Sequence, residues 1–210
     1  MRGNKVRPLN STGEEQPSSE VMRLVDPSGE RAPATAQDAA RLVNEASFAW
    51  LDVESPDDEL PRLGQALQLD PETVTKLVRA DPRPTFTTTR DAIYAALPAA
   101  EGSQGTQPTK PAYLCAALTE RFLLTVHAGP CSPVREARDR YSVLRDDAKS
   151  DGPLVLFLVL DQLISSFEPE LLALNERLDQ IQAALLDGSP SRIRDEIINI
   201  RRALTDTGRG

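Results

Sequence analysis

The chain has 210 residues, enough for one sizeable domain with an extension, and its 40% apolar and 27% charged composition is ordinary for a water-soluble protein. A formal net charge of −8 repels phosphate backbones, and no Lys/Arg stripe reverses the sign, so nucleic acid is excluded as the expected partner. The longest unbroken apolar run, Leu154 to Leu160, falls far short of the roughly 20 residues of a spanning helix, and the polar start, Met1 to Pro17, lacks the apolar centre of a secretory leader.

Residues 1–20 are rich in Gly, Ser, Pro, Glu and Asn without periodicity and read as a disordered tail. Val21 to Val25 is a short strand, and Asp26-Pro-Ser-Gly29 is a turn. Thr35 caps a helix to about Asn44, with Ala36, Ala39, Ala40 and Val43 on one face. Ser47 to Val53 is β-prone. Ser55, with Pro56 in the first position and Asp58 three residues on, reads as the cap of a helix carrying Leu60, Leu63 and Leu67. Asp70-Pro71 repeats the device for a short helix through Val74, Leu77 and Val78, which Asp81-Pro-Arg-Pro84 stops.

Strands follow at Thr85 to Thr88, Ala92 to Leu97 and Ala112 to Leu118, the last two separated by a loop over 100–111. Thr119-Glu-Arg121 is a tight turn into the strand Phe122 to His127. The character then changes to helix. Ser132 caps one to about Leu144, and Gly152 opens a second stretch whose nearly continuous apolar circumference predicts burial. Pro169 should kink or break it. Leu171, Leu174, Leu178, Ile181 and Leu185 alternate at spacings of three and four, a heptad-like seam. Asp187-Gly188-Ser-Pro190 ends that helix, and a last one carries Ile193, Ile197, Ile200 and Leu204 before a frayed end. The order predicts an α/β (α+β) fold: a mixed sheet flanked by helices over 21–150, paired arm helices over 151–188 and a further helix from 189 to 210.

Candidate chemistry is sparse. Cys115 and Cys131 form no CxxC pair and no His cluster accompanies them, so zinc is not expected. The single histidine, His127, ends a strand and reads as a structural side chain, since no sequence feature supplies a partner. Asp57, Asp58 and Glu59 suit the positive end of a helix. Glu168, Glu170, Glu176, Asp179 and Asp187, opposed nearby only by Arg177, read as a solvated face, or as an acidic surface that meets basic residues or cations in an assembly. No nucleophile–base set and no GxSxG, HExxH or GxxxxGK[ST] motif occurs, so no catalytic or cofactor-binding residue is assigned and no enzyme is expected.

Several of these segments together carry a resemblance. Trp50-Leu-Asp-Val53 followed by Pro56, Leu69-Asp-Pro71 followed by Arg83-Pro84, the strand Asp91 to Leu97, Phe122-Leu-Leu-Thr-Val-His127, and the stretches Gly152 to Ile164, Phe167-Glu-Pro169, Leu178-Asp179 and Ile197 to Leu204 resemble, in order, the cytoplasmic domain of CorA-like divalent-cation transporters. The resemblance runs from about residue 45 to 204. It implies arm helices and the start of a long stalk helix leading to the membrane. It also implies a homopentameric funnel on the cytoplasmic side of the cell membrane, and gating by magnesium or another divalent cation bound between subunits. The family's Gly-Met-Asn pore motif is missing, because Met occurs only at Met1 and Met22, so this stretch alone is expected to be soluble, monomeric or weakly associated, and unable to transport. Where the family often has acidic residues, this chain has Val74-Thr-Lys-Leu77, and Lys76 would repel a divalent cation at close range, so no metal ligand is assigned. The related ZntB-type zinc transporters share the fold, which leaves the ion open. The competing reading is a soluble scaffold that assembles through its helical arm.

Overall fold

The computed structural model describes residues 21–56, 59–79, 83–100, 112–144, 152–186 and 198. The expected tail over 1–20, the acids Asp57, Asp58 and Asp187, most of the loop over 100–111, and the helix carrying Ile193 to Leu204 lie outside the described residues.

Among the described residues, seven strands form one mixed sheet: β1 (Val21–Asp26), β2 (Gly29–Arg31), β3 (Ala49–Glu54), β4 (Thr85–Thr88), β5 (Ile93–Ala99), β6 (Ala112–Leu118) and β7 (Phe122–His127), in the order β2-β1-β3-β7-β6-β5-β4. Every neighbouring pair is antiparallel except β3 and β7, which run parallel with Ala49 opposite Phe122 and Glu54 opposite His127. Three helices cover one face: α1 (Ala36–Glu45), α2 (Glu59–Ala66) and α3 (Pro71–Arg79). Two cover the other: α4 (Ser132–Leu144) and α5 (Gly152–Ser165). The strand alternation explains the layers. Leu51, Val53, Leu124 and Val126 enter the core under α1–α3, whereas Trp50 and Leu123 enter the core under α4 and α5.

Local chemistry sets the joints. The Asp26 carboxylate accepts from the backbone of Ser28 at 2.7 Å and Gly29 at 3.1 Å, and Gly29 has φ 144°, so the hairpin between β1 and β2 is an Asx-anchored turn that uses glycine's freedom. Thr35 Oγ1 accepts from Asp38 N at 3.2 Å, the N-cap expected for α1. Asp70 Oδ1 accepts from Glu72 N at 2.8 Å with Pro71 in the first position, so α3 starts as its sequence implies.

Ser55 does otherwise. Its φ of 54° is left-handed, not the extended conformation of a cap. Ser55 instead donates its N–H to the His127 carbonyl at 2.8 Å and its hydroxyl to the Ala128 carbonyl at 3.1 Å, tying the exits of the parallel pair together.

Helix α5 is buried along Val155, Leu158, Val159 and Leu163, but Phe157 is 59% and Ile164 74% exposed, so the expectation of burial all round is corrected. The sheet and α4 cover one side of α5, and its sequence is more apolar than that position requires. The chain breaks at Ser166-Phe167, and α6 (Glu168–Leu186) starts with Pro169 in its first turn, where a missing N–H costs no hydrogen bond. No residue of α6 is buried, and Leu171, Leu178 and Leu185 of its seam are exposed.

Candidate functional site

The C-terminal ends of β3 and β7 meet at the parallel junction, and there the sheet buries a polar cluster on the α4 side. Asp52 sits in the middle of β3 with 4% of its surface exposed, Thr125 and His127 lie on β7 at 0% and 4%, and Arg138 reaches in from α4 at 7%. The directions of the hydrogen bonds follow from the groups. The indole of Trp50 can only donate, and its Nε1–H reaches Thr125 Oγ1 at 3.0 Å; that hydroxyl therefore spends its proton on Asp52 Oδ1 at 2.7 Å. His127 Nε2 lies 3.1 Å from the same oxygen, and Arg138 Nη1 donates to Asp52 Oδ2 at 3.1 Å. Arg138 Nε lies 3.9 Å from the Glu30 carboxylate of β2. The far ring nitrogen of His127, Nδ1, lies 2.5 Å from the Gly129 carbonyl in the β7–α4 turn.

One carboxylate thus serves a hydroxyl, an imidazole and a guanidinium, as a buried charge must if it is to stay ionised. Burial pulls the histidine toward losing its proton. The hydrogen bond and charge of Asp52, the Gly129 carbonyl and the charge of Glu54 together outweigh that, so its pKa lies above the ordinary 6.5. The arrangement holds charge without offering it. A general base must reach a substrate proton, and both nitrogens of this nearly fully buried ring are engaged within the fold. His127 has a partner that no local motif announced, because Asp52 lies 75 residues earlier. The visible signal was an acid inside a strand that is otherwise apolar, Ala49-Trp-Leu-Asp-Val53.

The other candidates lie apart from this cluster. Lys76 does not project as a lone positive charge: its Nζ is 2.9 Å from Glu72 Oε1, 3.3 Å from Thr87 Oγ1 and 5.8 Å from the centre of the Tyr94 ring. Its repulsion of a cation is thereby partly offset by the neighbouring carboxylate. Glu59 lies in the first turn of α2 and pairs with Arg62. On α6, Glu168 and Glu170 occupy the first turn, and Glu176 and Asp179 are exposed. Cys115 and Cys131 are both buried, Cys115 Sγ at 3.5 Å from the Tyr94 hydroxyl. Among the described residues, no group of three or more His, Cys, Asp or Glu side chains is placed to hold a metal ion, and no helix is long and apolar enough to cross a membrane. At the opposite end of the sheet, where β3 and β7 begin, an open groove of about 930 Å³ is lined by Phe48, Gln68, Asp91, Arg121 and Gly152 among others.

Comparison with known proteins places these elements in a wider set. The family model described as "CorA-like Mg2+ transporter protein" matches residues 45–209, which include both motif strands of the buried cluster. No curated protein matches the chain in sequence. Among solved structures, the complete CorA magnesium transporter from Methanocaldococcus jannaschii superimposes with a TM-score of 0.63 at 16% identity, over 89% of this chain and 57% of that one. The soluble domain of the same CorA gives 0.60 at 17% identity, covering 88% of this chain and 72% of that one. The ZntB cytoplasmic domain from Vibrio parahaemolyticus gives 0.58 at 13% identity, covering 90% and 91%. At these identities the likeness is one of fold. The chain spans little more than half the length of the complete transporter it matches.

Proposed function

The chain belongs to the CorA-like Mg2+ transporter family, and from that premise we propose that it is the cytoplasmic domain of a divalent-cation transporter, with magnesium the first candidate as cargo. The observation that carries this reading is the family match over residues 45–209, which takes in β3 to β7 and the helices after them together. Two features support it. The fold is that of the soluble and cytoplasmic domains of CorA and ZntB. The exposed stripe Leu171, Leu178 and Leu185 on α6 is apolar surface that a lone domain has no use for and that an oligomer can cover.

In this reading the protein works as a homo-oligomer, a pentamer in the form the family resemblance implies, on the cytoplasmic side of the cell membrane. The domain carries no catalysis, and its role is to bias the opening of a pore in response to cation. In the form the family resemblance implies, the regulatory cation sits between copies. Ligand bias on a bistable assembly needs only that the cation bind one arrangement better than the other.

The reading is tested in the gene. The reading frame beyond residue 210 should encode two apolar stretches of about 20 residues each, with Gly-Met-Asn after the first. A stop codon at that point would overturn the transporter reading and leave a scaffold that assembles through α6.

A further inference from the structure

Both ring nitrogens of His127 face oxygens. Gly129 O is a carbonyl and can only accept, and Asp52 Oδ1 belongs to a carboxylate that already accepts from Thr125. A neutral imidazole carries a single N–H, so it would satisfy one contact and turn a lone pair on the other. We propose that His127 is a proton-binding site of this domain, filled in the folded state, and that release of its proton loosens the turn between β7 and α4.

The surrounding charges favour the same occupancy. On β3, Asp52 and Glu54 share the face of His127, and Glu54 is its direct partner in the parallel register. On β1, Arg23 is the register partner of Asp52; on α4, Arg138 bonds Asp52; on β2, Glu30 lies beyond Arg138. Three carboxylates therefore face two guanidinium groups, and the imidazolium supplies the balancing charge. The direction of the His127 pKa, above 6.5, agrees with this count.

The turn is where a lost proton is felt. The exit of β7 is pinned by Ser55 through the His127 and Ala128 carbonyls, and by His127 through the Gly129 carbonyl. The next residues lead into α4, whose first hydrogen bond runs from Arg135 N to Cys131 O. Helix α4 packs on α5, which runs on into α6. The ring thus sits at the root of the helical layer. This inference concerns the folded domain itself and stands whichever cation the whole protein carries.

The sign is fixed by linkage. A histidine whose folded pKa is raised stabilises fully below its unfolded value of about 6.5 and loses that contribution as the pH rises through the folded pKa. For each unit of elevation the folding equilibrium constant falls tenfold across that window. Because the chain has one histidine, the imidazole ¹⁵N resonances of the unmodified 210-residue chain belong to His127 alone. They should show both nitrogens protonated at pH 6.5, and amide protection at Ser55 and Arg135, whose N–H groups bond the His127 and Cys131 carbonyls, should fall as they titrate. Glu54→Gln removes one carboxylate from the cluster and should lower the titration midpoint. Urea stability of the unmodified chain should fall from pH 6 to pH 8, while His127→Gln should be flat over that interval, which stops short of the ordinary thiol range of about 8.5 of the two buried cysteines. A neutral ring at pH 6.5, a midpoint below 6.5, or a titration that leaves turn protection unchanged would each overturn the proposal. Should His127→Gln fail to fold, the titration of the unmodified chain decides alone.

Discussion

Replacing Asp52 by Asn tests the buried cluster most sharply. The substitution keeps the size and one acceptor oxygen but removes the charge. Arg138 and His127, 7% and 4% exposed, are left with a neutral amide whose nitrogen must face one of them as a second donor. Breaking a buried ion pair from one side costs about 3–5 kcal/mol, because the remaining charge stays desolvated. His127 can shed its proton and soften the penalty, which places the expectation near the lower end. Set against a domain stability of about 5–15 kcal/mol, such a loss is large. With a urea slope of about 2 kcal/mol per molar, the unfolding midpoint should fall by roughly 1.5 M. The assay is built in: Trp50 is the only tryptophan of the chain, fully buried and bonded to Thr125 beside Asp52, so its fluorescence follows loss of the cluster directly. A midpoint shift below about 0.5 M at unchanged slope would refute the claim that Asp52 organises the site. A double-mutant cycle with His127→Gln should show a coupling of about 1–3 kcal/mol.

Other perturbations probe the frame around the cluster. A Cβ at Gly64 would lie 2.4 Å from Val74 Cγ2, and a β-branched side chain cannot yield cheaply, so Gly64→Ala should lower stability by about 1–2 kcal/mol despite its better helix propensity, as read by urea unfolding. Gln68 ends α2 at φ 59°, a glycine conformation, while Leu69 N closes back on Gly64 O at 2.9 Å. Gln68→Gly should therefore raise stability by up to about 1 kcal/mol, and a fall would mean that the Gln68 side chain matters more than its strain. Trp50→Phe deletes the donor to Thr125 and opens space beside the edge-on Tyr141 ring at 6.4 Å, and should cost about 1–3 kcal/mol by thermal or urea unfolding followed by circular dichroism.

Where the chemistry is local, the sequence carries the fold. Thr85 to Thr88 and Phe122 to His127 are strands at those bounds, and Thr119 closes the turn before β7 with its hydroxyl, accepting from Arg121 N and Phe122 N. Ser55-Pro56 misled because a cap motif and a strand exit use the same residue types. Only the proximity of the His127 and Ala128 carbonyls decides between them, and that is set by the parallel pairing of β3 with β7. The same pairing hid the site. Trp50, Asp52, Thr125 and His127 form two sequence motifs that read separately as a β-prone strand and an apolar strand, and only register brings them to one face. The breadth of the apolar surface on α5 was legible, but which side of it is covered depends on α4 and the sheet. The seam of α6 is present as a pattern, yet pattern cannot name what lies against it.

Ion flux decides the proposal that this is the cytoplasmic domain of a divalent-cation transporter. The whole protein that carries this chain should be placed in lipid vesicles enclosing a magnesium-sensitive dye, and external magnesium added. Magnesium should enter down its gradient at a rate well above that of empty vesicles, and control by magnesium on the cytoplasmic face should be lost when residues 1–186 are removed. Vesicles that admit no more magnesium, zinc, cobalt or nickel than empty ones would contradict it.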